Sequence, residues 1–148
     1  MNCVGYDPFL NQEKAKEISE NLLFTEDLND LLSKSDFVTI HVPATAETSG
    51  MINADAISNM KDGVVFLNFS RDKLVNDKDM AQALESGKVA KYVTDFANPA
   101  VVKMTNTIVI PHLGASTAEA EDNCAKMAAE EVMAYLERDE KIHCVNMK

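Results

Sequence analysis

Three cysteines, Cys3, Cys124 and Cys144, are odd in number and widely spaced, so the chain holds no disulfide framework, and without a Cys-x-x-Cys pair they suggest no zinc or other metal site. Free thiols behave as small hydrophobes, so all three are expected in the interior. Basic residues are also few. Fourteen lysines and arginines face 24 aspartates and glutamates, a formal net charge of −10. Nucleic acid and anionic membrane both require a basic surface, so neither is expected as a partner, and the acidity serves solubility. No apolar run approaches the roughly 20 residues that a membrane-spanning helix needs. Met1-Asn2-Cys3-Val4 lacks the basic start of a secretory signal. The expectation from these absences is a cytoplasmic protein.

The 148 residues are 46% hydrophobic and 26% charged, which suits one globular domain with a sizeable core rather than a disordered chain. Strand-length apolar runs alternate with helix-like stretches, the pattern of βαβ units around a parallel sheet. Strands are predicted at 3–6, 37–41, 64–68, 92–95 and 107–110, read as buried on both faces. Thr25 is placed as the cap of a helix carrying Leu28, Leu31 and Leu32, and Asn53 as the cap of a short helix through Ile57 and Met60. Asn76 starts another, which Gly87 ends. The longest helix is predicted from about Thr117 to Asp139. There Ser116 and Glu119 are spaced as a capping box, and Ala120, Cys124, Met127, Ala128, Val132 and Leu136 form a stripe expected to pack into a core.

Two runs carry chemistry. Asn68-Phe69-Ser70-Arg71 and Pro111-His112-Leu113-Gly114-Ala115-Ser116-Thr117 each follow a predicted strand, and the carboxyl ends of strands are where an open α/β sheet holds its ligands. Arginine grips a carboxylate with a planar fork of donors, and histidine exchanges protons near neutral pH. Together they suit a small 2-hydroxy or 2-keto acid. Blander readings exist for both: Arg71 as a surface arginine paired with Asp72, and His112 as a structural histidine.

Four segments in order resemble the NAD-dependent D-2-hydroxyacid dehydrogenases over nearly the whole chain: Val4-Gly5-Tyr6-Asp7-Pro8-Phe9; His41-Val42-Pro43 with Glu47-Thr48 and Gly50-Met51-Ile52-Asn53; Asn68 to Arg71; and the histidine run. The resemblance implies a Rossmann-like parallel sheet with flanking helices, NAD as cofactor and a homo-oligomer. It divides the chain into a truncated NAD-binding domain, 1–116, and a helix and tail, 117–148, that return to a substrate domain. By the same resemblance Asp7 accepts from the adenosine ribose hydroxyls, a role that competes with a plain Asx turn before Pro8. Arg71 holds the substrate carboxylate and His112 serves as general acid and base. Asp95 touches the nicotinamide carboxamide, beside the Gly114 and Ala115 backbone. His41, Pro43, Thr48, Phe69 and Ser70 line the cofactor, and His143 is assigned to the surface.

Two departures qualify it. Residues 1–148 contain neither the family's first strand nor a Gly-x-Gly-x-x-Gly loop, which normally binds the pyrophosphate through backbone donors, and the loss is expected to open the middle of the sheet. The family also places a glutamate before a proline to support the catalytic histidine. Here Asn98 precedes Pro99, and Asp72 stands where a glycine usually follows the arginine. An NAD-dependent dehydrogenase is the leading expectation, with a non-catalytic dinucleotide-binding module or an inactive fragment as alternatives.

Overall fold

Parallel pairing runs through every strand of this protein. The structure, a computed structural model, describes residues 2–18 and 22–144. They fall into two compact units, Met1–His112 and Leu113–Lys148. The first holds β1 (Cys3–Gly5), α1 (Gln12–Ile18), β2 (Leu22–Phe24), α2 (Leu28–Lys34), β3 (Phe37–Ile40), α3 (Ala54–Ser58), β4 (Val64–Asn68), α4 (Asp77–Ser86), β5 (Val89–Thr94) and β6 (Thr107–Val109). Short 3-10 turns at Asp72–Leu74 and Val101–Lys103 follow β4 and β5. The second unit is built on α5 (Ala118–Arg138).

The α/β class with a parallel sheet and a long final helix is as expected. The strands form two sheets rather than one, β1-β2 and β3-β4-β5-β6. In the doubly wound order 3-2-1-4-5-6, β2 and β1 take the places of strands 3 and 2, and β3 begins the other half. The split therefore falls at the central position, leaving β1 and β3 each with an unpaired edge. One correction concerns β3. β3 alternates rather than burying both faces: Val38 and Ile40 are buried, whereas Phe37 and Thr39 are exposed.

The core lies against the four-stranded sheet. Val64, Phe66 and Asn68 of β4 point into it, and Phe66 meets Tyr92 of β5 with ring centroids 6.0 Å apart. Met80, Ala83 and Leu84 of α4 pack there with Ile52, Ile57, Met60, Leu74 and Val101. α4 follows its sequence closely. Asn76 accepts from the Lys78 and Asp79 N–H groups, and Gly87 ends the helix at φ 79°, a left-handed cap that suits glycine. Asn53 caps α3 as expected.

Two caps differ from the sequence reading. Asp27, not Thr25, caps α2 by accepting from Asn29 N–H at 2.9 Å, because the Thr25 N–H still bonds Gly5 C=O and holds that residue to the sheet. Thr117, not Ser116, caps α5 by accepting from Ala120 N–H at 3.1 Å, so the Ser116–Glu119 box does not form. Helix α1 and strand β2 were not anticipated. In the first, Ala15 is the buried residue among positions 12–17, which shows no repeating inner face, and the second is only three residues long.

The stripe on α5 is not core. Met127 and Val132 are about half exposed, Leu136 is 75% exposed, and Ala134 is the buried residue of the helix. The reason is plain: the second unit contains no other described helix or strand to cover it. The thiols differ too. Cys3 lies exposed on the short β1, Cys124 lies exposed on α5, and Cys144 is half-buried. No helix among the described residues is long and apolar enough to cross a membrane.

Candidate functional site

Because β4, β5 and β6 are neighbours and parallel, their carboxyl ends open along one edge, and the segments after them carry Arg71, Asp95 and His112. The turn after β4 is built by Asn68, whose fully buried amide accepts from Ser70 N–H at 3.1 Å and donates to Arg71 C=O at 2.9 Å. The Ser70 hydroxyl donates to Val42 C=O at 2.7 Å and ties this turn to the segment after β3. Arg71 is exposed and donates from Nη1 to Ser70 C=O at 2.6 Å. It does not pair with Asp72. Its remaining guanidinium donors are free to fork onto a carboxylate.

The segments after β5 and β6 meet where a histidine ring nitrogen contacts a carboxylate. His112 Nδ1 lies 2.7 Å from Asp95 Oδ2, with the imidazole about half exposed and the Asp95 side chain 8% exposed. The Phe96 ring packs against the same imidazole in a tilted contact, centroids 5.0 Å apart and planes at 38°. Fully buried Thr94 braces the step between them, its hydroxyl accepting from Phe96 N–H at 3.2 Å. Asp95 Oδ1 is buried with no hydrogen-bond partner among the described residues. Phe96 was missed from the sequence, since an aromatic after a strand gives no signal beyond packing.

Asn98, which stands where the family places its histidine-supporting glutamate, is bonded elsewhere. Its Nδ2 donates to Asp72 Oδ1 at 2.9 Å and Asp77 Oδ2 at 3.0 Å, and its Oδ1 accepts from the N–H groups of Ala100 and Val101. Asp72 is thereby held by Asn98. Burial pushes the Asp77 carboxyl above its usual range and the Asp72 charge adds to this, while the Asn98 hydrogen bond opposes it.

Other flagged residues spread along the same unit. His41 Nε2 bonds Thr39 Oγ1 at 2.8 Å. Thr48 folds back so that its hydroxyl donates to Pro43 C=O at 2.6 Å, shaping the 43–48 turn. Phe69 is half-buried beside Ser70. Asp7 follows β1 and forms the Asx turn, Oδ1 accepting from Phe9 N–H at 2.8 Å, which leaves Oδ2 for another donor. Gly114 and Ala115 lie in an exposed turn of the second unit. That unit has a cavity of about 420 Å³ lined in part by Met127, Met133 and Ile142, and by His143, which bonds Glu131 at 2.8 Å. None of the sequence-flagged ligand-binding residues lines it. No cluster of three or more metal-ligating side chains occurs among the described residues.

Residues 1–114 match the family described as D-isomer specific 2-hydroxyacid dehydrogenase, NAD binding domain. The chain belongs to that family. Among the dehydrogenases it resembles, the D-3-phosphoglycerate dehydrogenase of Archaeoglobus fulgidus is 37% identical over 141 residues, covering 90% of this chain and 26% of that protein. A glyoxylate reductase from Paecilomyes thermophila superposes with a TM-score of 0.82 at 25% identity, over 95% of this chain and 43% of that one. The D-lactate dehydrogenase of Aquifex aeolicus, solved with NAD and lactic acid, gives 0.75 at 28% identity, over 92% and 46%. This dehydrogenase-family chain thus spans about a quarter of the length of the curated relatives it matches.

The residues present fit NAD at two of its parts. Asp95 Oδ1, buried and unpartnered, suits an amide donor such as the nicotinamide carboxamide, and Asp7 Oδ2 suits a ribose hydroxyl. For the pyrophosphate, residues 1–148 offer no Gly-x-Gly-x-x-Gly loop.

Proposed function

We propose that residues 1–148 form part of an NAD-dependent oxidoreductase acting on the CH–OH group of a D-2-hydroxy acid, with 3-phosphoglycerate, and with it a place in serine biosynthesis, as the preferred substrate. The observation that carries the proposal is the gathering of Arg71, Asp95 and His112 at the carboxyl ends of adjacent parallel strands. The name shared by the curated relatives supports the choice of acid.

Arg71 binds the substrate carboxylate through its fork, orienting the neighbouring carbonyl or carbinol carbon. His112 then handles the proton. With Nδ1 engaged by Asp95, Nε2 is the nitrogen left to give a proton to the carbonyl oxygen on reduction and to remove it from the hydroxyl on oxidation. NAD, when bound, supplies the hydride-transfer chemistry. Asp7 and Asp95 hold its ribose and carboxamide, and His41, Pro43, Thr48, Phe69, Ser70, Gly114 and Ala115 line it. In this reading 1–116 is a truncated NAD-binding domain, 117–148 a helix and tail returning to a substrate domain, and the enzyme a cytoplasmic homo-oligomer.

The test is a chimera joining residues 1–148 to the portion of the Archaeoglobus fulgidus relative that they do not match. Oxidation of 3-phosphoglycerate with NAD, followed by nicotinamide absorbance and abolished by His112→Asn, is expected. A folded chimera that binds NAD yet oxidises no 2-hydroxy acid overturns the proposal in favour of a dinucleotide-binding module.

A further inference from the structure

We infer that Asp95 is the positioning residue of His112: its carboxylate holds the neutral imidazole as the Nδ1–H tautomer, leaving Nε2 unprotonated and open. The site needs such a group, because a neutral imidazole can act as a base only through the nitrogen that carries no proton, and the hydrogen bond at the other nitrogen decides which one that is. Asn98, the residue before Pro99, cannot supply it. Both its amide donor and its amide acceptor are committed to Asp72, Asp77 and the 100–101 backbone. Asp95 can, for three independent reasons. Its Oδ2 lies 2.7 Å from Nδ1. A carboxylate is acceptor-only when ionised, so Nδ1 must be the donor. The side chain is 8% exposed, which keeps water from competing for that bond.

Two neighbours make the arrangement rigid. The Phe96 ring limits how far the imidazole can turn, and buried Thr94 fixes the Asp95–Phe96 backbone. A second consequence concerns Oδ1, which stays unpartnered. Asp95 thus presents one oxygen to His112 and keeps the other for a donor from outside the described residues. What the open Nε2 is used for rests on the dehydrogenase reading above; the tautomer does not.

The imidazole nitrogen shifts of the uniformly 15N-labelled 148-residue chain test this at alkaline pH, with His112 assigned by the signals lost in His112→Gln. In the unsubstituted chain His112 is expected to show a protonated Nδ1 and an unprotonated Nε2. Asp95→Ala should turn the majority to the Nε2–H form that free imidazole side chains prefer, whereas Asn98→Ala should leave the Nδ1–H form in place. A majority Nε2–H form in the unsubstituted chain overturns the inference, whether or not Asp95→Ala folds. Retention of Nδ1–H in Asp95→Ala, or its loss in Asn98→Ala alone, overturns it as well. An inactive chimera with the Nδ1–H form intact defeats only the dehydrogenase reading.

Discussion

Four hydrogen bonds converge on the side-chain amide at position 98, and they set what that position tolerates. Asn98→Glu restores the residue type usual in the family but brings a third carboxylate against Asp72 and Asp77, and it removes both donor contacts. We expect it to destabilise the chain by roughly 1–3 kcal/mol, the scale of leaving buried polar groups unpaired, and to raise no turnover in the chimera. Urea unfolding reads the first and steady-state rates the second. Asp77 gives a pH signature of the opposite sense to most carboxylates. Burial and the Asp72 charge raise its folded-state pKa above the ordinary 3.8, so the folded chain holds this proton more readily than the unfolded one. Its favourable contribution is present at low pH and lost as pH rises through the raised value. Asp77→Asn keeps the acceptor for Asn98, so the melting temperature of the variant relative to the parent should climb as pH rises above the ordinary 3.8 and through the raised value. A flat difference would show that Asp77 carries no such penalty. Arg71→Lys, in the chimera, should weaken use of 2-keto acids by about 2 kcal/mol while leaving NAD affinity nearly unchanged, since the lost fork faces substrate. Equal losses in both would remove Arg71 from that role.

At the scale of elements, α4 shows how far local chemistry reaches. Its start at Asn76 and stop at Gly87 are both written in residue types that favour those backbone shapes. Gly87→Ala meets no neighbouring atom within 4 Å, so the expected cost of about 1 kcal/mol is purely that of a side chain at φ 79°. Asn76→Ala should cost about as much through the lost cap. Thermal unfolding checks both. An earlier helix, α2, marks the limit of such reading. Thr25 and Asp27 are both capping types, and Asp27 prevails only because Thr25 N–H remains bonded to Gly5 in the neighbouring strand. Likewise α1 and β2 were not visible in the sequence, since a seven-residue helix and a three-residue strand are too short to show a period.

For the whole molecule, the two open sheet edges and the exposed face of α5 are the features with consequences in solution. Met127, Val132, Met133, Tyr135 and Leu136 stand exposed on one helix, and unpaired parallel edges at β1 and β3 offer backbone donors and acceptors to another chain. Self-association that grows with concentration is expected in sedimentation. A monodisperse monomer whose α5 amides resist hydrogen exchange would count against it. Calorimetry should find NAD bound weakly or not at all by residues 1–148, which have no glycine-rich loop for the pyrophosphate; micromolar affinity would show that another group replaces it.

The sequence by itself determined the alternating α/β order, the strand-end placement of Arg71 and His112, the caps at Asn53 and Asn76 and the stop at Gly87. Each depends on residues close together in the chain, where period, capping chemistry and backbone preference act directly. Tertiary structure alone decided which partners the polar side chains of the site take. Asp95 and His112 are 17 positions apart and meet because β5 and β6 pair in register, Thr94 opposite Val109, which brings the segments after them side by side. Asn98 was free to orient an imidazole until Asp72 and Asp77, carried to it from beyond β4, claimed its donors. A hydrogen bond forms with whatever the fold brings within about 3 Å, and that distance is set by sheet register rather than by spacing along the chain.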